Sequence, residues 1–155
     1  MKLENTLLAV HDLQMSLEFY RNILGLEQIN GCSAGVVLSG GLALQPLETW
    51  AKDLEKRPEE IGFNGNAEEL CFVAEDFDIF LKILKSHPEV ELVQPPMEHR
   101  WGQQVVRLYD PDRRIVEVDE PLPAVAKRFR DAGLTEEGVA KRMEVPLESV
   151  RRWLK

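Results

Sequence analysis

Cysteine is scarce in this 155-residue chain: only Cys32 and Cys71 occur, far apart and with no CxxC pair. That excludes a disulfide-stapled scaffold and a cysteine-rich zinc module, and leads us to expect two reduced thiols in a cytoplasmic protein. Long apolar runs are missing too. No stretch approaches the ~18 residues a membrane span requires, and MKLENTLLAV has no basic segment ahead of a long apolar one, so neither a membrane partner nor a cleaved leader is expected. Positive charge is in deficit: 19 Lys and Arg face 27 Asp and Glu, a net charge of −8, which argues against a protein coated in nucleic acid. Histidine is limited to three residues, His11, His87 and His99. With 44% apolar residues and about one domain's worth of chain, a real core is expected.

The charge is unevenly placed. Residues 122–155 carry eight Lys or Arg and five Asp or Glu, a net of +3, which leaves −11 for residues 1–121. The break falls at Pro121-Leu-Pro123, where proline discourages continuation of the preceding element. We therefore read an acidic body, 1–121, and a basic helical tail, 122–155.

The body reads as two copies of one module, residues 1–50 and 66–121. From Asn5 an apolar strand leads to an acidic turn at His11-Asp12. A helix follows with Leu13, Leu17, Phe19, Tyr20, Ile23 and Leu24 at three- and four-residue steps, ended by Gly25. From Glu69 the same order returns: a strand, an acidic turn at Asp76, and a helix with Phe77, Phe80, Leu81 and Leu84 on one face. Three β-type runs follow each helix: LEQI, AGVVLSG and GLALQPL in the first copy, VELVQPP, QQVVRLYD and RRIVEVDE in the second. Each half is thus βαβββ, in an α+β protein. Since about 55 residues bury a poor core alone, the two halves are expected to share one sheet system. Between them, Trp50 and Leu54 fit a short amphipathic helix ending before Pro58.

Three pieces, in order, carry a family resemblance. NTLLAVHDLQMSLEFYRNILGL resembles the HxxLxVxDLxxSxxFYxxxLGL signature of the vicinal-oxygen-chelate superfamily, which includes glyoxalase I, bleomycin-resistance proteins and extradiol dioxygenases. ELCFVAED and DPDRRIVEV resemble two further pieces of the same pattern. The resemblance implies paired βαβββ modules forming a cupped mixed sheet around a small-molecule site, commonly as a homodimer. It also carries the four metal-ligand positions of metal-binding relatives onto Asn5, Gln45 (or Ala43, if the strand is shifted by two), Glu69 and Glu117. Only Glu117 keeps the family's residue type, and both histidine ligands are gone, so an ordinary glutathione-dependent glyoxalase I is not expected.

Two readings of this set stay open. Two carboxylates and two amide oxygens suit Mg²⁺ or Mn²⁺, which would polarise a substrate carbonyl toward an enediolate in a lyase or isomerase, with Glu117 or Glu69 moving the proton. Alternatively no metal is bound, and the cup sequesters an organic compound, as in the bleomycin-resistance type. In the first case a small oxygenated or anionic molecule is the expected ligand; in the second, an aromatic or cationic compound held between two protomers. His99 and Trp101, on a loop ahead of a strand, are candidate pocket residues: Trp101 to stack on a planar ligand, His99 to titrate or to hold an anion.

The tail reads as three short helices, with Gly133 as a stop, Thr135 as an N-cap and a turn at Glu144-Val145-Pro146. LTEEGVAKRMEVPLESVRRWL resembles a bacterial helix–turn–helix, with Ala140, Val145 and Val150 at the spacing of that motif. Two roles are open for it: packing on the body or on a partner subunit, or contact with DNA in a ligand-responsive regulator.

Overall fold

The computed structural model describes residues 1–32, 34–63 and 65–155; the side chain of Cys32 lies outside the described ones. The chain divides into two compact units: Met1–Glu68 with Asp110–Arg114, and Glu69–Tyr109 with Ile115–Lys155. The charged tail thus clusters with the second module.

The first module runs β1 (Thr6–Val10), α1 (Leu13–Asn22), β2 (Gln28–Cys32), β3 (Gly35–Leu38), β4 (Leu42–Pro46) and α2 (Leu47–Asp53). Its strands form one sheet in the order β1-β4-β3-β2, with β1 and β4 parallel. The second module runs β5 (Glu69–Val73), α3 (Phe77–Ser86), β6 (Leu92–Glu98), β7 (Gln104–Tyr109) and β8 (Ile115–Asp119), with the same order, β5-β8-β7-β6. The βαβββ repeat is therefore present twice. The expectation of one shared sheet system is corrected: in each module the first strand pairs in parallel with the last, which completes a four-stranded sheet within the module.

The repeated acidic turns are helix caps. Asp12 accepts from the Met15 N–H and Asp76 from the Ile79 N–H, each at 2.9 Å, satisfying an orphan donor of the first helical turn. Behind the caps, Phe19, Tyr20 and Ile23 are buried in the first unit, and Phe77, Phe80 and Leu84 in the second. In the first unit the Asp110–Arg114 turn supplies polar anchors. The Tyr20 hydroxyl donates to Asp110 at 2.8 Å; burial, and then Asp110, push its phenol far above the ordinary tyrosine range.

The tail forms α4 (Leu122–Asp131), α5 (Glu136–Met143) and α6 (Leu147–Trp153). Thr135 caps α5 by accepting from the Gly138 N–H at 3.1 Å, and Gly133 takes the positive φ of 95° that ends the preceding helix. Val125, Ala126, Val139, Ala140, Met143 and Val150 make a small core of their own. No helix among the described residues is long and apolar enough to cross a membrane.

Candidate functional site

Alternation along a strand sends every second side chain to one face, so strand register decides which residues meet. In the second sheet, β5 and β7 flank β8, with Cys71 and Arg107 both opposite Glu117. One step along, Val73 and Val105 flank Asp119 on the same face. The intervening row, Val106, Leu108, Val116 and Val118, is buried and supplies the hydrophobic side.

On the polar face Arg107 joins two carboxylates. Its Nε donates to Glu69 Oε2 at 3.0 Å, and its Nη2 pairs with Glu117 Oε2. Glu117 is only 7% exposed. Burial, and then the neighbouring charge of Asp119, hold its carboxyl above the usual carboxylate range, with Arg107 pulling it back. Burial likewise raises Asp119, against the influence of His99 and Arg107. Asp119 Oδ1 is buried with no hydrogen-bond partner among the described residues. Although burial opposes its charge, Arg107 is held above its ordinary value by Glu69 and Glu117. Cys71, between Glu69 and Glu117, loses hydration and feels both carboxylates, so its thiol is pushed up to about 11 and stays protonated at neutral pH.

His99 and Trp101 lie on the turn between β6 and β7, stacked on each other at 4.2 Å between ring centroids and 14° between planes. The Trp101 indole N–H donates to Gln103 Oε1 at 2.9 Å. One potential ligand atom each from His99, Glu117 and Asp119 falls within 4.8 Å of the others. The second module therefore brings four sequence-predicted residues, Glu69, Glu117, His99 and Trp101, onto one face, together with Arg107 and Asp119.

The other two candidates belong to the first module. Asn5 precedes β1 and is exposed. Gln45 is buried on β4, and its Nε2 donates to Asp53 Oδ2 at 2.7 Å. Counting back five residues from the matched caps Asp12 and Asp76 aligns Leu7 with Cys71. Leu7 pairs with Ala43 as Cys71 pairs with Glu117, so the first-module counterpart of Glu117 is Ala43, and Gln45 matches Asp119. The shifted alternative is thus the structural one, and it carries no donor. The first sheet has an apolar hollow of about 210 Å³, lined by Leu7, Val37 and Gln45 among others.

The four-donor metal set does not fit this chain. The first module has a methyl group where a ligand is needed, and Arg107 already supplies the positive charge that Glu69 and Glu117 would give a metal. On this face Glu69, Glu117 and Asp119 set three carboxyl groups beside one guanidinium, that of Arg107.

From the sequence alone neither Arg107 nor Asp119 is given a role in the site. The period-2 pattern of QVVRLY places Arg107 on the face opposite the buried valine and leucine, but only the β7–β8 register shows that it meets Glu117.

Comparison with known proteins agrees with this architecture. The glyoxalase-like domain family matches residues 3–123. A protein of unknown function from Agrobacterium tumefaciens str. C58 is similar in structure, with a TM-score of 0.69 and 28% identity over 78% of this chain and 94% of that one. A glyoxalase/bleomycin resistance protein/dioxygenase family enzyme from Burkholderia phytofirmans PsJN shares the fold at TM-score 0.66 and 16% identity, covering 77% and 98%. A lactoylglutathione lyase from Agrobacterium tumefaciens gives 0.59 at 25% identity, covering 77% and 92%. Comparison with curated proteins gives no match. Over residues 3–123, the chain belongs to the glyoxalase-like domain family of the vicinal-oxygen-chelate superfamily.

Proposed function

We infer that this chain binds a small hydroxylated or cationic molecule on the Glu117 face of its second module, with no resident metal. The bridge from Arg107 to Glu69 and Glu117 carries this reading, since the side chain itself provides the cation. The surplus of carboxyl groups favours a ligand that donates hydrogen bonds or carries positive charge, and the unpartnered Asp119 Oδ1 is an acceptor waiting for such a donor. The stacked His99 and Trp101 rings offer a planar group a surface.

The test pairs benzylamine with benzoate, matched in shape and opposite in charge, followed by calorimetry and by the Trp101 indole resonance. The reading expects benzylamine to bind, indifferent to EDTA, and to be lost in Asp119→Asn. Preference for benzoate, or binding that EDTA abolishes, would refute it.

A second reading rests on the raised Glu117 and Asp119. Carboxyls raised above their ordinary range hold a proton more readily than free ones, as an isomerase or lyase that moves a proton on an oxygenated substrate requires. Turnover abolished in Glu117→Gln with binding retained would select it.

A second copy of the chain is the proposed protein partner, supported by the 42% and 65% exposure of Leu7 and Val73 on their sheets. Light scattering that finds only a monomer at micromolar concentration would remove it. For the tail we favour packing over DNA contact. Arg151 pairs with Glu136 at 3.3 Å, and Arg128 and Arg142 are engaged with the second module, so the basic surplus is largely spent within the protein.

A further inference from the structure

The turn bearing His99 and Trp101 is closed by its own backbone and then held from outside. The His99 N–H donates to Gln103 O at 2.8 Å, and the Gly102 N–H returns to His99 O at 2.7 Å. Gly102 adopts φ 90°, where a side chain is strained, and an added Cβ would also run into the Phe129 ring of α4.

The tail takes two carbonyls of this turn. Arg128 Nη2 donates to Gly102 O at 2.6 Å, and Arg142 Nη1 donates to Arg100 O. Arg128 also grips buried Glu120, with Nη2 to Oε2 at 2.8 Å and Nε to Oε1 at 3.2 Å. Glu120 Oε2 in turn accepts the Gln104 N–H at 3.1 Å, at the start of β7. Both guanidiniums lie over Phe129, 5.2 and 5.3 Å from its centroid, and Arg100 answers with a 2.7 Å bond to Glu144. A surface turn is ordinarily among the looser parts of a fold. Here its ends and its tip are tied to three residues of the tail, all of them beyond the matched segment 3–123.

We propose that the C-terminal helices are part of the ligand site, with Arg128 as the positioning residue that fixes the His99–Trp101 stack beside Glu117 and Asp119. The proposal rests on the binding face inferred above. It gives the tail a role in the site rather than at a distance from it. A planar fork is required, because one group must reach a main-chain carbonyl and both oxygens of a carboxylate. The ammonium of lysine offers no such geometry.

The experiment reads the stack directly and needs no ligand. Ring current from Trp101 displaces the His99 carbon-bound ring protons upfield, measured against Trp101→Leu. In the full chain, Arg128→Met is expected to lose more than half of that displacement. Lys127→Met, one residue away and stripped of its 2.6 Å pair with Asp131, keeps it. Arg128→Lys recovers only part. Full displacement in Arg128→Met overturns the proposal, and so does an equal loss in Lys127→Met, which would mark a general loosening of the tail. Should Arg128→Met not fold, Arg142→Met is expected to show a smaller loss, and a wild-type displacement there overturns the proposal. Failure of benzylamine to bind, with the stack behaving as stated, would count against the binding face alone.

Discussion

Two sheets of the same topology give opposite answers at the same backbone address. In the first module the matched trio across three strands is Leu7, Ala43 and Val37; in the second it is Cys71, Glu117 and Arg107. The next position along the last strand is Gln45 in one and Asp119 in the other. The repeated fold fixes where side chains project, and the residues at those points decide whether a face is apolar or ionic. A charge on this face is tolerated where its neighbour across the ladder neutralises it, as Arg107 does for Glu117.

The most severe way to break the comparison is to write the second module's acid into the first. Ala43→Glu buries a carboxylate opposite Leu7 and Val37 with no guanidinium beside it, and is expected to cost about 3 kcal/mol or more in denaturant unfolding. A loss under about 1 kcal/mol would mean that the cross-strand cation is not what makes Glu117 tolerable.

The converse change removes the cation. Arg107→Met leaves Glu69, Glu117 and Asp119 unneutralised and should cost about 1–2 kcal/mol at pH 7, discounted because the Arg107 side chain is 22% exposed. The loss should shrink on acidification as the carboxyls protonate. A pH-independent loss would point to packing of the arginine stem instead.

Asp119→Asn sharpens the contrast in the other direction. Because the folded-state pKa values of Glu117 and Asp119 are raised, the fold binds their protons more tightly than the unfolded chain does. Their contribution is complete below the ordinary carboxylate range and is lost as pH rises through the raised values. Removing the Asp119 charge is therefore expected to stabilise the protein by about 0.5–1 kcal/mol at pH 7 and to do nothing at acid pH. Destabilisation at neutral pH would show that the Asp119 charge has a partner after all.

The smallest effect belongs to the first module's polar residue. Gln45→Met gives up one hydrogen bond to Asp53 and should cost about 1 kcal/mol, leaving benzylamine affinity unchanged. A several-fold loss of affinity would place the ligand against the first module as well.

Much of the fold was legible because it rests on local rules. The equal spacing from strand to cap at Asp12 and Asp76, the helix faces behind them, and the stops and caps of the tail at Gly133 and Thr135 are all short-range signals. The site was legible only in part. Glu117 stood out as an acid within an apolar strand, and Glu69 followed from the repeat. Arg107 did not stand out, because one arginine in an alternating strand looks like a solvated charge until the register places it across from Glu117. Gln45 and Ala43 were both open as the counterpart of Glu117 for the same reason: only strand pairing decides between them, and it selects Ala43. The grip of Arg128 on Gly102 joins residues 26 positions apart in different elements, and no local pattern announces it.

In the proposed site an arginine takes the place a divalent ion would have between Glu69 and Glu117. Metal content after equilibration with Mn²⁺ and dialysis, measured on the wild-type chain and on Arg107→Met, tests it most directly. Far less than one equivalent is expected on the wild type, with a gain in uptake on the variant. One tightly held equivalent on the wild type, lost in Glu117→Gln, would contradict it.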